Sequence, residues 1–423
     1  MAVNSSKLVC STLTSIDFDK FDVMKNKIES FDVIIIDEVS QALIPAALIP
    51  ITYSKKLIVA GDHIQLPPTV ISQQYIDNPA SDSFMNLLRF RCEKASVVGE
   101  NVSSETNFMT MLTVQYRMHQ LIMKWPSTTF YSDKLIAHSS CSERTLIDGL
   151  HKISDSNKSN LSPIIFIDST SDSENEQTPM HSLSHTNEYE AILVCIHVSK
   201  LLGCGISDKR ISILSPYSGQ VSMIYDLLAL FDISRDIEVN SIDGFQGREC
   251  DVIVISMVRS NFKKQIGFLK DLRRLNVALT RAKLQLCFIC DSNTLSNSSV
   301  EEFSSLIDYL KLNGEFYDGN LYYGQELTSL NTKEMFLLRK NDGLPLVSKV
   351  CRLPVFFHFL RVLKIALFAI TYKSNGNKNT QNPVNNYFLT TLIKTLEIYW
   401  RVKPWFHFLI IWPLISSVNS FLA

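Results

Sequence analysis

Six short apolar runs recur along the chain, at residues 33–36 (VIII), 57–60 (LIVA), 164–167 (IIFI), 211–214 (ISIL), 252–256 (VIVIS) and 286–289 (LCFI). A strand with one wet face alternates apolar and polar residues, whereas a nearly continuous aliphatic run needs cover on both faces. Such runs belong to parallel sheets held between helices. Residues 188–202 and 219–230 place apolar side chains at intervals of three and four, as a helix with one buried stripe does. The expected class is therefore α/β. A chain of 423 residues holds two domains of ordinary size, and the runs divide accordingly. Two fall within residues 1–98 and four within 108–323, while residues 324–423 have a different composition.

Hydrophobic residues make up 46% and charged residues 20%, the balance of a soluble globular protein. A net charge of −1 excludes a globally basic surface, so any nucleic-acid binding must come from a local groove. The nine cysteines are scattered singly except Cys287 and Cys290, which share the apolar run 284–290 (LQLCFIC). With no second pair to complete a zinc site, they are expected in the core. Scattered free cysteines point to a reducing compartment, cytosol or nucleus. No secretory leader is expected at residues 1–7, which run straight into a strand-like segment. Residues 355–372 are apolar but contain Arg361 and Lys364, each costing ~2.5–3.5 kcal/mol in a bilayer. Residues 405–423 carry no formal charge and are just long enough to span, but Pro413, Ser416, Ser417, Asn419 and Ser420 oppose insertion. Membrane association is not expected. Residues 100–107, 154–162 and 169–186 read as polar loops, the last two mobile.

Five segments carry chemistry. Residues 31–41 (FDVIIIDEVSQ) end an aliphatic strand on Asp37 and Glu38, at the edge where open α/β sheets bind ligands. Acids there can hold Mg²⁺ through water and orient a water toward a γ-phosphate. An ordinary strand ending in a solvated acidic turn has the same pattern. Residues 57–68 (LIVAGDHIQLPP) deliver Gln65, an amide able to sense a phosphate, ahead of a stiff Pro67-Pro68. Residues 112–119 (LTVQYRMH) present Tyr116 and Arg117, suited to a base face and to phosphate oxygens, or to a surface cation–π pair. Residues 239–260 hold a turn in which Gly244 and Gly247 permit close backbone approach beside Gln246, Arg248 and Glu249. Residues 273–283 (RRLNVALTRAK) carry Arg273, Arg274 and Arg281 on an expected helix, whose bland reading is a solvated basic face.

In this order the five segments resemble the signature motifs of superfamily 1 helicases of the nonsense-mediated-decay group, over residues 7–323. QYRMHQLIMKW, LIAHSS, SPYSGQ, SIDGFQGRE and FICDSNTLSN lean toward its immunoglobulin mu-binding branch. The resemblance implies two tandem RecA-like lobes of the P-loop NTPase type, the first incomplete, plus an apolar C-terminal tail. ATP and Mg²⁺ would be fuel and cofactor. Asp37, the metal ligand, and Glu38 would hold Mg²⁺ and activate water, and Gln65 would meet the γ-phosphate. Tyr116 would lie on the adenine, Gly247 and Glu249 would line the nucleotide with Glu249 at the ribose, and Arg117 and Arg281 would act as arginine fingers. Ser11, Thr12, Pro68, Thr69, Ser215, Pro216, Tyr217, Gln220, Ser241 and Gln246 would follow single-stranded RNA or DNA. The resemblance further implies 5′-to-3′ movement, ribosome or other ribonucleoprotein partners, and a cytoplasmic or nuclear location.

Helicases of this kind carry a G-x-x-x-x-G-K-[ST] loop ahead of the acid pair, whose amides and lysine cradle the phosphates. Gly-Lys occurs nowhere in these 423 residues, and only thirty-six precede Asp37. The expectation is an N-terminally truncated chain, inactive as an ATPase by itself. The alternative is a catalytically inactive nucleic-acid-binding fragment.

Overall fold

The computed structural model describes residues 7–15, 31–70, 72, 74, 78, 81–97, 109–149, 159–171, 175–178, 184–234 and 236–326. Residues 100–107 and both apolar stretches of the tail lie outside these. Among the described residues no helix is long and apolar enough to cross a membrane.

The first sheet is a parallel pair, β1 (Ile34–Ile36) and β2 (Leu57–Val59), registered Ile34 to Leu57. The crossover between them contains helix α1 (Ile44–Ile51), with a proline in its first turn where no donor is lost, and α2 (Phe84–Val97) follows. Ile36, Val39, Ala42, Ala47 and Phe84 form the core on one side. The other side departs from expectation: Ile35 and Ile58, partners in register, are 66% and 55% exposed. Both runs are as apolar as a doubly covered sheet requires, yet among the described residues only one face is packed.

The second sheet meets the expectation fully. A short parallel pair, β3 (Val114–Gln115) and β4 (Ile136–Ala137), flanks helix α3 (Gln120–Phe130). Then come β5 (Ile164–Asp168), the antiparallel pair β6 (Glu176–Gln177) and β7 (Thr186–Asn187), helix α4 (Glu188–Gly203), β8 (Ile211–Ser215), helix α5 (Ser218–Leu230), β9 (Glu238–Ser241) and β10 (Cys250–Ser256). Helix α6 (Leu272–Leu279), β11 (Ala282–Cys290), helices α7 (Ser292–Ser296) and α8 (Glu301–Asn313), β12 (Glu315–Asp318) and helix α9 (Gly319–Glu326) complete it. Six parallel strands stand in the order β12-β5-β11-β10-β8-β9. Nearly every residue of β5, β8, β10 and β11 is buried, Cys287 and Cys290 among them. Among the described residues no group of three or more His, Cys, Asp and Glu side chains could hold a metal.

The 169–186 stretch is not loop throughout. Glu176 takes Arg259 bidentately at 2.8 and 3.1 Å, which fixes β6 against the exit of β10. That exit is held by buried polar groups. Val258, a β-branched residue, sits at φ 74°, a conformation costing ~1–3 kcal/mol. Its N–H donates to Glu190 at 2.8 Å and its carbonyl accepts from Asn187 at 2.9 Å. Glu190 also accepts from Ser256 at 2.7 Å and Ser169 at 3.1 Å.

Burial lifts the Glu190 carboxyl to about 7 against these donors and with help from Asp291. Between its ordinary value of 4.5 and about 7, the folded chain keeps a proton that the unfolded chain releases. Stability from this group is full below that window, falls as pH rises through it, and stays lower above. Glu190→Gln can satisfy the same partners, its oxygen accepting from Ser256 and Val258 while its amide donates to Ser169. In urea unfolding the variant should exceed wild type by about 2–3 kcal/mol at pH 8 and match it near pH 4.5. Equal stability at both pH values would contradict this.

Candidate nucleotide and nucleic-acid site

Asp37 and Glu38 follow β1 directly, at its C-terminal edge, and both are exposed. Asp37 Oδ1 accepts from the Glu38 N–H at 2.9 Å, and Glu38 Oε2 accepts from Gln41 Nε2 at 3.3 Å. The strand ends stay together because Gly61 lacks a side chain: a Cβ there would lie 3.0 Å from the Ser40 nitrogen.

The turn after β2 is organised by Asp62. Its Oδ1 accepts from Ile64 N at 3.0 Å, and its Oδ2 from Gln65 Nε2 at 2.9 Å and Tyr131 Oη at 2.6 Å. Tyr131 follows α3, beside the second sheet. Asn276 of α6 donates both to Tyr131 Oη at 2.8 Å and to the Ile64 carbonyl at 3.0 Å. Leu66 packs into the core cluster of the second sheet. Arg281 Nη2 then donates to Gln65 Oε1 at 3.3 Å. Burial, then the Asp62 carboxylate, pushes the Tyr131 phenol well up, so it remains a donor at any physiological pH.

Arg281 is not on the helix expected for it. Helix α6 ends at Leu279, and Arg281 is buried at the entry to β11, donating to the Val277 carbonyl at 3.0 Å. Burial and the nearby Arg117 lower it to about 10, opposed by Glu38, Tyr131 and Glu249. Arg117 is set by Gln115, whose Oε1 accepts from the Arg117 and Met118 amides at 2.8 and 2.7 Å. It pairs with Glu249 and donates to the Thr280 carbonyl at 3.1 Å. Lys283 holds the other Glu249 oxygen at 2.9 Å. Burial works against the Glu249 charge, but Lys283 and Arg117 outweigh it and hold the carboxyl below its ordinary value. Tyr116 is 64% exposed beside the His138 ring, centroids 4.5 Å apart, and Gly247 is exposed at φ 75°.

The nucleic-acid candidates divide. Ser11, Thr12 and Thr69 are exposed, Pro216 and Ser241 half-buried, and Pro68 buried. Gln246 is half-buried, its Nε2 enclosed without a partner. Ser215, Tyr217 and Gln220 are buried. Gln220 exchanges bonds with the Asn187 main chain at 2.8 and 2.9 Å and donates to Ser256 at 3.0 Å. Tyr217 is 3% exposed beneath Phe268, centroids 4.4 Å apart, its Oη accepting from Arg259 at 3.3 Å.

AAA domain families match residues 1–73 and 94–293. The DNA polymerase alpha-associated DNA helicase A of Schizosaccharomyces pombe is 38% identical over 321 residues, 75% of this chain and 44% of that protein. The DNA-binding protein SMUBP-2 of Mesocricetus auratus is 37% identical over 285 residues, 67% of this chain and 27% of that protein. An uncharacterized ATP-dependent helicase of Methanocaldococcus jannaschii is 40% identical over 285 residues, 66% of this chain and 39% of that protein. The chain belongs to the SMUBP-2-like superfamily 1 helicases. It spans less than half the length of these relatives.

Within this helicase fold, sequence reading assigned no site role to Tyr131 or Asn276. Asn276 left a faint signal, one amide among the buried Leu275, Val277, Ala278 and Leu279. Tyr131 left none, since its partner is 69 residues away. Arg281 is a buried cation with no ion-pair partner among the described residues, a costly arrangement for stability alone. Arg281→Met should therefore leave unfolding free energy within about 1 kcal/mol of wild type, or raise it. A loss above about 3 kcal/mol in urea unfolding would make Arg281 a structural residue.

Proposed function

We propose that this chain supplies the acid pair, phosphate sensor and arginine fingers of an ATP-dependent helicase or translocase working on single-stranded RNA or DNA. The observation that carries the reading is the Arg281–Gln65 bond, which joins the turn after β2 to the entry of β11 within the field of Glu38. A phosphoryl group in transfer spreads negative charge over its oxygens, and a preorganised cation facing an amide and an acid pair suits that charge. Helicases of this family use ATP and Mg²⁺. Asp37 and Glu38 fit a hydrated Mg²⁺, since each keeps exposed carboxylate surface and Mg²⁺ usually takes one or two carboxylates plus water. Arg117, tethered by Glu249, would be the second finger, and the exposed Tyr116 face would take the adenine, with Gly247 and Glu249 beside the sugar. Movement is proposed as 5′-to-3′, ribonucleoprotein complexes as partners, and cytoplasm or nucleus as location, in keeping with eight free cysteines among the described residues.

A G-x-x-x-x-G-K-[ST] sequence, whose amides and lysine would cradle the β- and γ-phosphates, occurs nowhere in these 423 residues. Phosphoryl transfer depends almost wholly on positioning and charge, so the chain alone should bind a strand without turning over ATP. Fusion to a homologous first-lobe segment that carries the loop should restore strand-stimulated turnover. Arg281→Ala in that fusion should then cost ~10³-fold or more. Unchanged turnover in the variant would refute the assigned role, and rapid turnover by the unfused chain would refute the need for the loop.

A further inference from the structure

Residues 259–271 lead from β10 into α6 and include five side chains with no role in the site above. Ile266 and Leu269 are buried and pin this loop to the core of the second sheet. Asn261 closes its first turn, donating to the Gln265 carbonyl at 2.8 Å and accepting from the Gln265 amide at 2.9 Å. Around these anchors Phe262 is 69% and Phe268 43% exposed, Lys263 and Lys270 are exposed, and Lys264 is half-buried. No ion pair among the described residues engages the three lysines. The acids nearby are already occupied: Asp271 by Arg273 at 2.8 Å, Asp243 by Arg274 at 3.0 Å, and Glu176 by Arg259 at 2.8 Å. A chain of net charge −1 thus presents a locally basic strip with two aromatic rings set in it.

The strip has a definite place. Phe268 lies against Tyr217, just past the end of β8, and Arg274, whose guanidinium is 5.4 Å from the Phe268 centroid, reaches Asp243 just past β9. The loop passes this close because residue 267 is glycine at φ 58°, where a Cβ would lie 2.6 Å from Arg259 Nη1. It therefore stands over the C-terminal edge of β8 and β9, beside residues 215–220 and 241–246, which the resemblance places along a bound strand. Tyr217 cannot offer its ring there, and Phe268 covers it.

We infer that this loop is a single-strand contact, with Phe262 and Phe268 offering rings to bases and Lys263, Lys264 and Lys270 meeting phosphates. Ammonium groups along a backbone and rings under bases are the two components of sequence-tolerant single-strand binding. The inference rests on the proposed nucleic-acid function and adds residues to it.

The test is fluorescence anisotropy of the full chain with labelled oligothymidine across a salt series. Phe262→Ala and Phe268→Leu should each weaken binding about 5- to 100-fold at fixed salt. Leucine keeps an apolar cover on Tyr217 while removing the ring. The triple variant Lys263→Ala, Lys264→Ala, Lys270→Ala should reduce the slope of log affinity against log salt by about 2. An abasic strand of equal charge should bind wild type more weakly and respond little to Phe268→Leu, which lost packing would not reproduce. Wild-type affinity and slope in all these variants would overturn the inference and leave the proposed function standing. A wild-type chain that binds no strand would overturn both.

Discussion

The Asp62 carboxylate is the joint on which the candidate nucleotide site depends. It takes two donors from its own turn, Ile64 N and Gln65 Nε2, and one from the end of α3, Tyr131 Oη. Its demand for donors fixes which way the Gln65 amide points. With Nε2 turned to Asp62, Oε1 is left to receive Arg281. An amide nitrogen has two hydrogens, so one remains for a phosphate oxygen while the other holds the turn. Asn276 ties the same joint from α6 by donating to Ile64 O and Tyr131 Oη. A phosphate drawing on Gln65 would thus be felt by two elements of the second lobe.

Two ionisable groups are kept where folding alone disfavours their charge. Arg281 is buried with Arg117 nearby and lowered to about 10. Glu190 is fully buried at the far edge of the sheet and lifted to about 7. Their surroundings explain the difference between them. Arg281 meets the Gln65 amide within the field of Glu38, whereas Glu190 binds the Val258 amide and so holds a strained turn. That turn directs Arg259 toward Glu176 and Tyr217, and the loop over the strand ends follows from it.

The α/β class and the second sheet were legible because continuous aliphatic runs have one stable solution, a parallel sheet between helices. The same rule described what β1 and β2 require, not what covers them, so the open face at Ile35 and Ile58 could not be read. Motif order located the acid pair, Gln65, Arg117 and Arg281, since each chemical type stands at a strand end or turn. Burial was not legible. Ser215, Tyr217 and Gln220 follow a strand as polar or aromatic residues, a pattern common to a ligand edge and to an interior scaffold. Which of the two holds is decided by Phe268 and Asn187, distant in sequence. Tyr131 and Asn276 were hidden for the same reason: their meaning lies in partners on another element.

Native-state hydrogen exchange tests the role of this joint most directly, read at the amides of Ile64 and Gln65, which donate to Asp62 Oδ1 and Asp62 O. If the second lobe holds the turn through Tyr131 and Asn276, both amides are protected in the full chain. In Tyr131→Phe or Asn276→Ala they should exchange about 5- to 100-fold faster, the loss of one or two hydrogen bonds, while β11 amides keep wild-type rates. Unchanged protection of Ile64 and Gln65 in both variants would contradict the claim that Tyr131 and Asn276 hold the candidate site together.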